Sequence, residues 1–222
     1  MERIVIGRTS TIIKEACVES YHEAVEAFSN GADRLEVCSR LDLDGLTPDK
    51  MIVEKIIQKV NLPVKVMIRP RGGDFNYTNT EIHKMCQDIK YFKDLSLDGI
   101  VIGVLDSNYK IDMSNLLKLC EKAFPLKITF HKAIDQTNNI IQEVRKLSQI
   151  KKIHSILTSG GKPNANLGKE IIKSLIKTFS TDIDFIVAGS ITSDNFDMIH
   201  KLIGANEYHG KNIVGKKPYP IT

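Results

Sequence analysis

Acidic, basic and thiol side chains recur at spacings of two in short apolar stretches of this chain. Glu15 precedes Cys17, Glu36 precedes Cys38, Met67 precedes Arg69, Thr129 precedes His131 and Glu207 precedes His209. Side chains two apart on an extended strand share a face, so each pair points the same way. If those faces converge, they bring together glutamates, an arginine, histidines and two thiols. Such a group is costly to bury unless its members pair with one another or serve a ligand.

Three chemistries fit these residues. Glu36 and His131 are candidates for proton transfer, because a carboxylate among its neighbours and an imidazole both exchange protons near neutral pH. The stretch Met67-Ile68-Arg69-Pro70-Arg71-Gly72-Gly73-Asp74-Phe75 supplies two guanidinium forks for a phosphate or carboxylate, with a tight glycine turn beside them. Cys17 and Cys38 are soft ligands suited to copper(I), with Met67 or a histidine nearby. Each reading has a plain structural counterpart. Glutamates that neutralise Arg69 and Arg71 would form a buried ion network, and lone cysteines often pack as small hydrophobes.

The loops that follow the later apolar runs add Ser159-Gly160-Gly161, Gly189-Ser190 and His209-Gly210. Glycine turns of this kind expose backbone donors to an anion. Together with Glu15, Asp135 and His209, Ser159 and Gly189 complete the expected set around a small anionic ligand. Asp135 serves equally as a helix cap in that reading. Cys86, Cys120, His22, His83, His154 and His200 read as packing or surface residues.

These side chains need a scaffold, and the hydrophobic periodicity supplies one. Short apolar runs at residues 12–17, 34–38, 64–68, 99–104, 126–131, 153–157, 184–188 and 207–209 alternate with amphipathic helical stretches. Ser20 with Glu23 and Thr78 with Glu81 have capping-box spacing. Thr47-Pro48 predicts the start of the second helix, and Ser193 predicts a cap for the last. Tyr21, Ala24, Val25 and Phe28 mark the core face of the first helix.

The alternation predicts a single α/β domain over residues 1–222, a TIM (β/α)8 barrel with site residues at the carboxyl ends of its strands. A doubly wound sheet is disfavoured because the first strand-to-helix turn lacks the glycine fingerprint of a dinucleotide site. After His209, the glycines and prolines at 210, 215, 218 and 220 leave no room for a full eighth helix. Residues 1–10, the tail or a second subunit is expected to cover the seam between the last strand and the first.

The formal net charge of +4 is spread over helix surfaces without a basic block, which argues against a nucleic-acid partner. No apolar run is long enough to span a membrane or form a secretory core. The four cysteines show neither CxxC pairing nor zinc spacing, so a reducing, cytoplasmic setting is expected.

Several stretches then resemble one family. Gly31-Ala32-Asp33-Arg34-Leu35-Glu36-Val37-Cys38, Gly45-Leu46-Thr47-Pro48, Ile68 through Phe75, Thr129 through Asp135, and Leu157-Thr158-Ser159-Gly160 are similar to CutC proteins, described as copper-homeostasis proteins. The resemblance implies a cytosolic, self-associating TIM barrel, a homodimer or larger homo-oligomer. It places the family's proposed copper(I) ligands at Cys17 and Cys38. The family's polar pocket falls on Glu15, Glu36, Arg69, Arg71, His131, Asp135 and His209. This chain departs from the family pattern at Asp44, where glycine is usual, at Lys132, where arginine is common, and at Ser190, in a loop often richer in glycine.

Overall fold

The computed structural model describes residues 12–215. Eight parallel strands close into a barrel in sequence order, β1 to β8. The order along the chain is β1 (Ile13–Val18), α1 (Tyr21–Ser29), β2 (Arg34–Val37), α2 (Lys50–Lys59), β3 (Val64–Met67), α3 (Asn79–Lys93), β4 (Gly99–Ile102) and α4 (Met113–Ala123). It continues with β5 (Lys127–Phe130), α5 (Ile140–Ser148), β6 (Ile153–Thr158), α6 (Ala165–Phe179), β7 (Asp184–Val187), α7 (Phe196–Ile203) and β8 (Glu207–Gly210). The fold is a TIM barrel without an eighth helix among the described residues, as the periodicity predicts.

Alternation along the strands produces two cores. Outward residues such as Leu35, Val66, Ile100, Ile102, Ile128, Phe130 and Ile156 pack against the helices in one continuous apolar layer. Inward residues fill the barrel, and register puts Glu15 beside Arg34 and His209, and Glu36 beside Cys17 and Lys65.

The capping box at Thr78 and Glu81 forms as expected, with both reciprocal bonds present. Two helix starts differ from expectation. Helix α2 begins after Asp49, whose carboxylate accepts from the Met51 and Ile52 N–H groups. Thr47 is drawn instead to the chain just after β3, where its hydroxyl donates to the Arg69 carbonyl and accepts from the Arg69 N–H. Helix α7 has Asn195 rather than Ser193 as its N-cap residue.

Helix α1 buries Ala24 and Ala27, while Val25 and Phe28 are exposed. The side of α1 that an eighth helix would cover has no such neighbour among the described residues. Chain directly after β8 fills part of the gap: Ile213 is fully buried in the outer core and Val214 packs against it. The expected cover by residues 1–10 lies outside the described residues, as does the tail beyond residue 215.

Candidate functional site

The middle of the barrel holds a charged layer. Arg34, on β2, forks between Glu15 of β1 and Glu207 of β8. Lys65, on β3, lies 3.4 Å from Glu15 Oε2 and donates to Thr129 Oγ1 at 2.9 Å; Thr129 in turn bonds Ser155 at 2.8 Å. Burial alone would raise the Glu15 pKa, but the Lys65 and Arg34 charges outweigh it and hold the carboxyl at about 2. The anticipated buried ion network therefore exists with different cations from those expected. Strand parity carried the signal, since Arg34 lies two residues before Glu36 and Lys65 two before Met67.

Above this layer, at the carboxyl ends of the strands, opens a cavity of about 590 Å³. Cys17, Glu36, Arg69, His131, Asp135, Ser159, Gly189 and His209 all line it. Glu15, Cys38 and Arg71 are not part of its wall. Glu15 sits in the charged layer, Cys38 lies behind Cys17 in a small cluster with Met67 and Val101, and Arg71 faces the outer rim.

The two arginines of the central stretch have separate tasks. Arg69 is buried, and its Nη1 donates to the Leu43 and Gly45 carbonyls at 2.7 and 3.2 Å, while Nη2 donates to the Gly73 carbonyl at 3.0 Å. It ties the loop after β2 to the glycine turn after β3 and packs over the Phe75 ring, 4.7 Å from its centroid. Arg71 pairs with Glu81 and Asp74 and donates to the Gly72, Asp74 and Asn76 carbonyls. Those bonds brace the turn against α3.

His131 closes one side of the cavity. Its Nδ1 accepts from the Ala133 N–H at 3.1 Å, and its ring lies 4.8 Å from that of Phe75. Burial, reinforced by the Arg69 charge, pushes its pKa down to about 3. The imidazole is therefore neutral at physiological pH. Gly103 makes room for it: a Cβ there would lie 2.2 Å from His131 Cε1.

On the opposite side, the Cys17 and Cys38 sulfurs are 3.3 Å apart, Cys17 Sγ is 3.8 Å from Glu36 Oε1, and Glu36 Oε1 is 3.4 Å from His209 Nε2. Cys17, Glu36 and His209 bring one potential ligand atom each within 4.8 Å of one another. Its hydrogen bond with Cys38, its burial and the Glu36 charge hold the Cys17 thiol well above the usual range. Burial would lower the His209 pKa, but the neighbouring Glu36 charge raises it overall.

Asp135 organises the loop after β6. Its carboxylate accepts from the Thr158 and Ser159 hydroxyls and from the Ser159 and Gly161 N–H groups. Ser159 and Asp135 are thereby bound to each other at the cavity edge. Lys132, noted in the sequence only as a departure from the family pattern, and Lys162, which sequence reasoning did not single out, line the mouth as cations without an ion-pair partner among the described residues. At the rim, Asp44 and Ser190 adopt left-handed backbone with φ of 62° and 56°. Glycine would take that conformation without strain, and aspartate tolerates it better than most residues.

A family model described as the CutC family matches residues 12–214. The "Copper homeostasis protein cutC homolog" of Dictyostelium discoideum is 38% identical over 223 residues, covering 88% of this chain and 80% of that protein. Its human counterpart of the same name is 37% identical over 203 residues, covering 91% of this chain and 74% of that protein. The CutC crystal structure from Streptococcus agalactiae superposes with a TM-score of 0.86 at 28% identity, over 91% of this chain and 100% of that one. A phosphoribosylanthranilate isomerase from Thermotoga maritima, with a TM-score of 0.56 and 11% identity over 94% of this chain and 91% of that one, shares the fold alone.

Proposed function

This chain belongs to the CutC family, and from that premise we propose that it takes part in copper homeostasis by binding copper(I) through Cys17 and Cys38. The observation that carries the reading is the pair of free thiols 3.3 Å apart, Cys17 in the cavity wall and Cys38 behind it, with Glu36 and His209 beside Cys17. The donor set fits: two sulfurs and an imidazole suit a soft monovalent ion, and the nearby carboxylate offsets its charge. Both sulfurs must lose protons on loading, so uptake releases protons and strengthens as pH rises. The same reading places the protein in a reducing, cytoplasmic setting, which the four free cysteines support. Self-association belongs to the same reading, supported by the exposed Phe28 on α1 and Met198 on α7.

The test is anaerobic copper(I) titration against a chromogenic chelator. Wild type is expected to take up one ion per chain, and the Cys17→Ser, Cys38→Ser double variant none. Equal uptake by both would exclude the site.

A second reading is favoured by the mouth of the cavity. Arg69, Lys132 and Lys162 line a space of about 590 Å³, more than a two-thiol metal site requires. We therefore also propose that the cavity holds a small carboxylated or phosphorylated metabolite, with Arg69 rather than Arg71 as the arginine beside it. Saturable thermal stabilisation by such compounds, reduced in a Lys132→Ala, Lys162→Ala variant, is the expected result.

A further inference from the structure

Three buried polar atoms without a hydrogen-bond partner among the described residues belong to side chains that line the cavity: Glu36 Oε2, Arg69 Nε and His131 Nε2. Buried polar groups rarely stay unpaired, because desolvation without compensation costs about 1–3 kcal/mol each. Their donor and acceptor characters follow from the bonds their neighbouring atoms already make.

His131 Nδ1 accepts from the Ala133 N–H, so the proton of the neutral ring resides on Nε2. With its pKa pushed down to about 3 by burial and by Arg69, the ring presents an uncharged N–H across the whole physiological range. Arg69 Nη1 and Nη2 give three of their four N–H groups to backbone carbonyls, and Nε–H is a buried donor with no partner in hydrogen-bond geometry among the described residues. Phe75 brings the two groups together: the Arg69 guanidinium carbon lies 4.7 Å and the His131 ring 4.8 Å from its centroid. Glu36 Oε2 has the opposite character. It is a buried carboxyl oxygen with no partner among the described residues, and a hydroxyl or N–H is the group such an oxygen accepts from.

We infer that the cavity takes a small organic anion bearing a hydroxyl near an acceptor oxygen, a hydroxy acid or a hydroxylated phosphate ester. The acceptor oxygen meets His131 Nε2–H and Arg69 Nε–H, the hydroxyl donates to Glu36 Oε2, and the anionic group faces Lys132 and Lys162. This rests on the second reading above and specifies its ligand. It also changes the role of His131. A ring whose only free nitrogen already carries a proton cannot act as a base there, but it can hold or polarise an oxygen without supplying charge.

The probes are D-glycerate and glycerol 3-phosphate, compared with propionate and n-propyl phosphate, which lack the alcohol hydroxyl. Calorimetry and thermal shift read binding to the full chain. At least one hydroxylated anion is expected to bind at least tenfold more tightly than its unhydroxylated partner. His131→Ala should weaken that binding at least tenfold, and His131→Gln, which keeps an N–H donor, should recover part of it.

Equal binding by hydroxylated and unhydroxylated anions overturns the inference and leaves the anion reading standing. No binding by any of the four overturns both. A measurement without substitution guards against misfolded variants: nitrogen-15 NMR of the wild-type histidines at pH 7 should show His131 protonated at Nε2 and unprotonated at Nδ1. The reverse tautomer, or a cationic ring, overturns the assignment.

Discussion

Replacing Arg34 with methionine tests whether the charged layer is held as the contacts imply. The guanidinium joins Glu15, whose side chain is fully buried, to Glu207, whose side chain is 15% exposed. Removing one partner of a buried ion pair typically costs about 3–5 kcal/mol, because the remaining charge is left without compensation. Two features place this case near the lower figure. Lys65 remains 3.4 Å from Glu15, and Glu207 retains some contact with water. The expected loss is therefore about 3 kcal/mol, which for a chain of this size is a fall in Tm of roughly 6–12 °C. Urea unfolding at pH 7, followed by circular dichroism, measures it. Adding Glu207→Gln to Arg34→Met should restore about 1 kcal/mol, since it removes one of the stranded charges. A loss below about 1 kcal/mol for the single variant, or a further loss in the double variant, would refute the reasoning.

Other perturbations address the cavity. Gly103→Ala places a methyl group 2.2 Å from His131 Cε1 and 2.4 Å from Nδ1, so the ring must move; a destabilisation of about 1–3 kcal/mol is expected, together with a changed His131 signal in NMR. The pH dependence follows from the same ring. Because its pKa falls from the usual 6.5 to about 3 on folding, its contribution is complete above 6.5 and is lost as pH falls toward 3. Glu15, lowered from 4.5 to about 2, adds a loss below 4.5, whereas His209, raised by Glu36, contributes at low pH and loses that contribution as pH rises. Between pH 6.5 and 4 the His131 contribution falls by about 3 kcal/mol, and urea unfolding of His131→Gln should show a correspondingly shallower decline than wild type. Parallel pH profiles for the two proteins would contradict the assignment.

Much of this molecule was legible before any coordinates. Apolar runs of strand length alternating with amphipathic helices specify the barrel, and the spacing of two put Cys17, Glu36, Arg69, His131 and His209 on inward faces at the strand ends. Local chemistry also located the helix starts at Ser20 and Thr78. It failed at Thr47, where a good capping residue is recruited by the backbone of Arg69, a partner 22 residues away. Helix α1 shows a related limit. Its pattern suggests Val25 and Phe28 for the core, but no eighth helix among the described residues covers that side, and alanines make the buried contacts.

The site divides in the same way. Residue type and spacing determined that acids, thiols, an arginine and imidazoles would gather at one end of a barrel. Only the tertiary structure decided which partners they take, because a side chain's charge state and free valences depend on neighbours from distant strands. Arg34 and Lys65, unremarkable in sequence, neutralise Glu15 in the barrel interior. Arg71, prominent in sequence, is bound at the rim to Glu81 and Asp74. His131 has the composition of an acid–base group, yet burial beside Arg69 makes it a neutral donor. Sequence fixes the inventory of groups and the face each occupies; the through-space field and the competition for hydrogen bonds set what each can do.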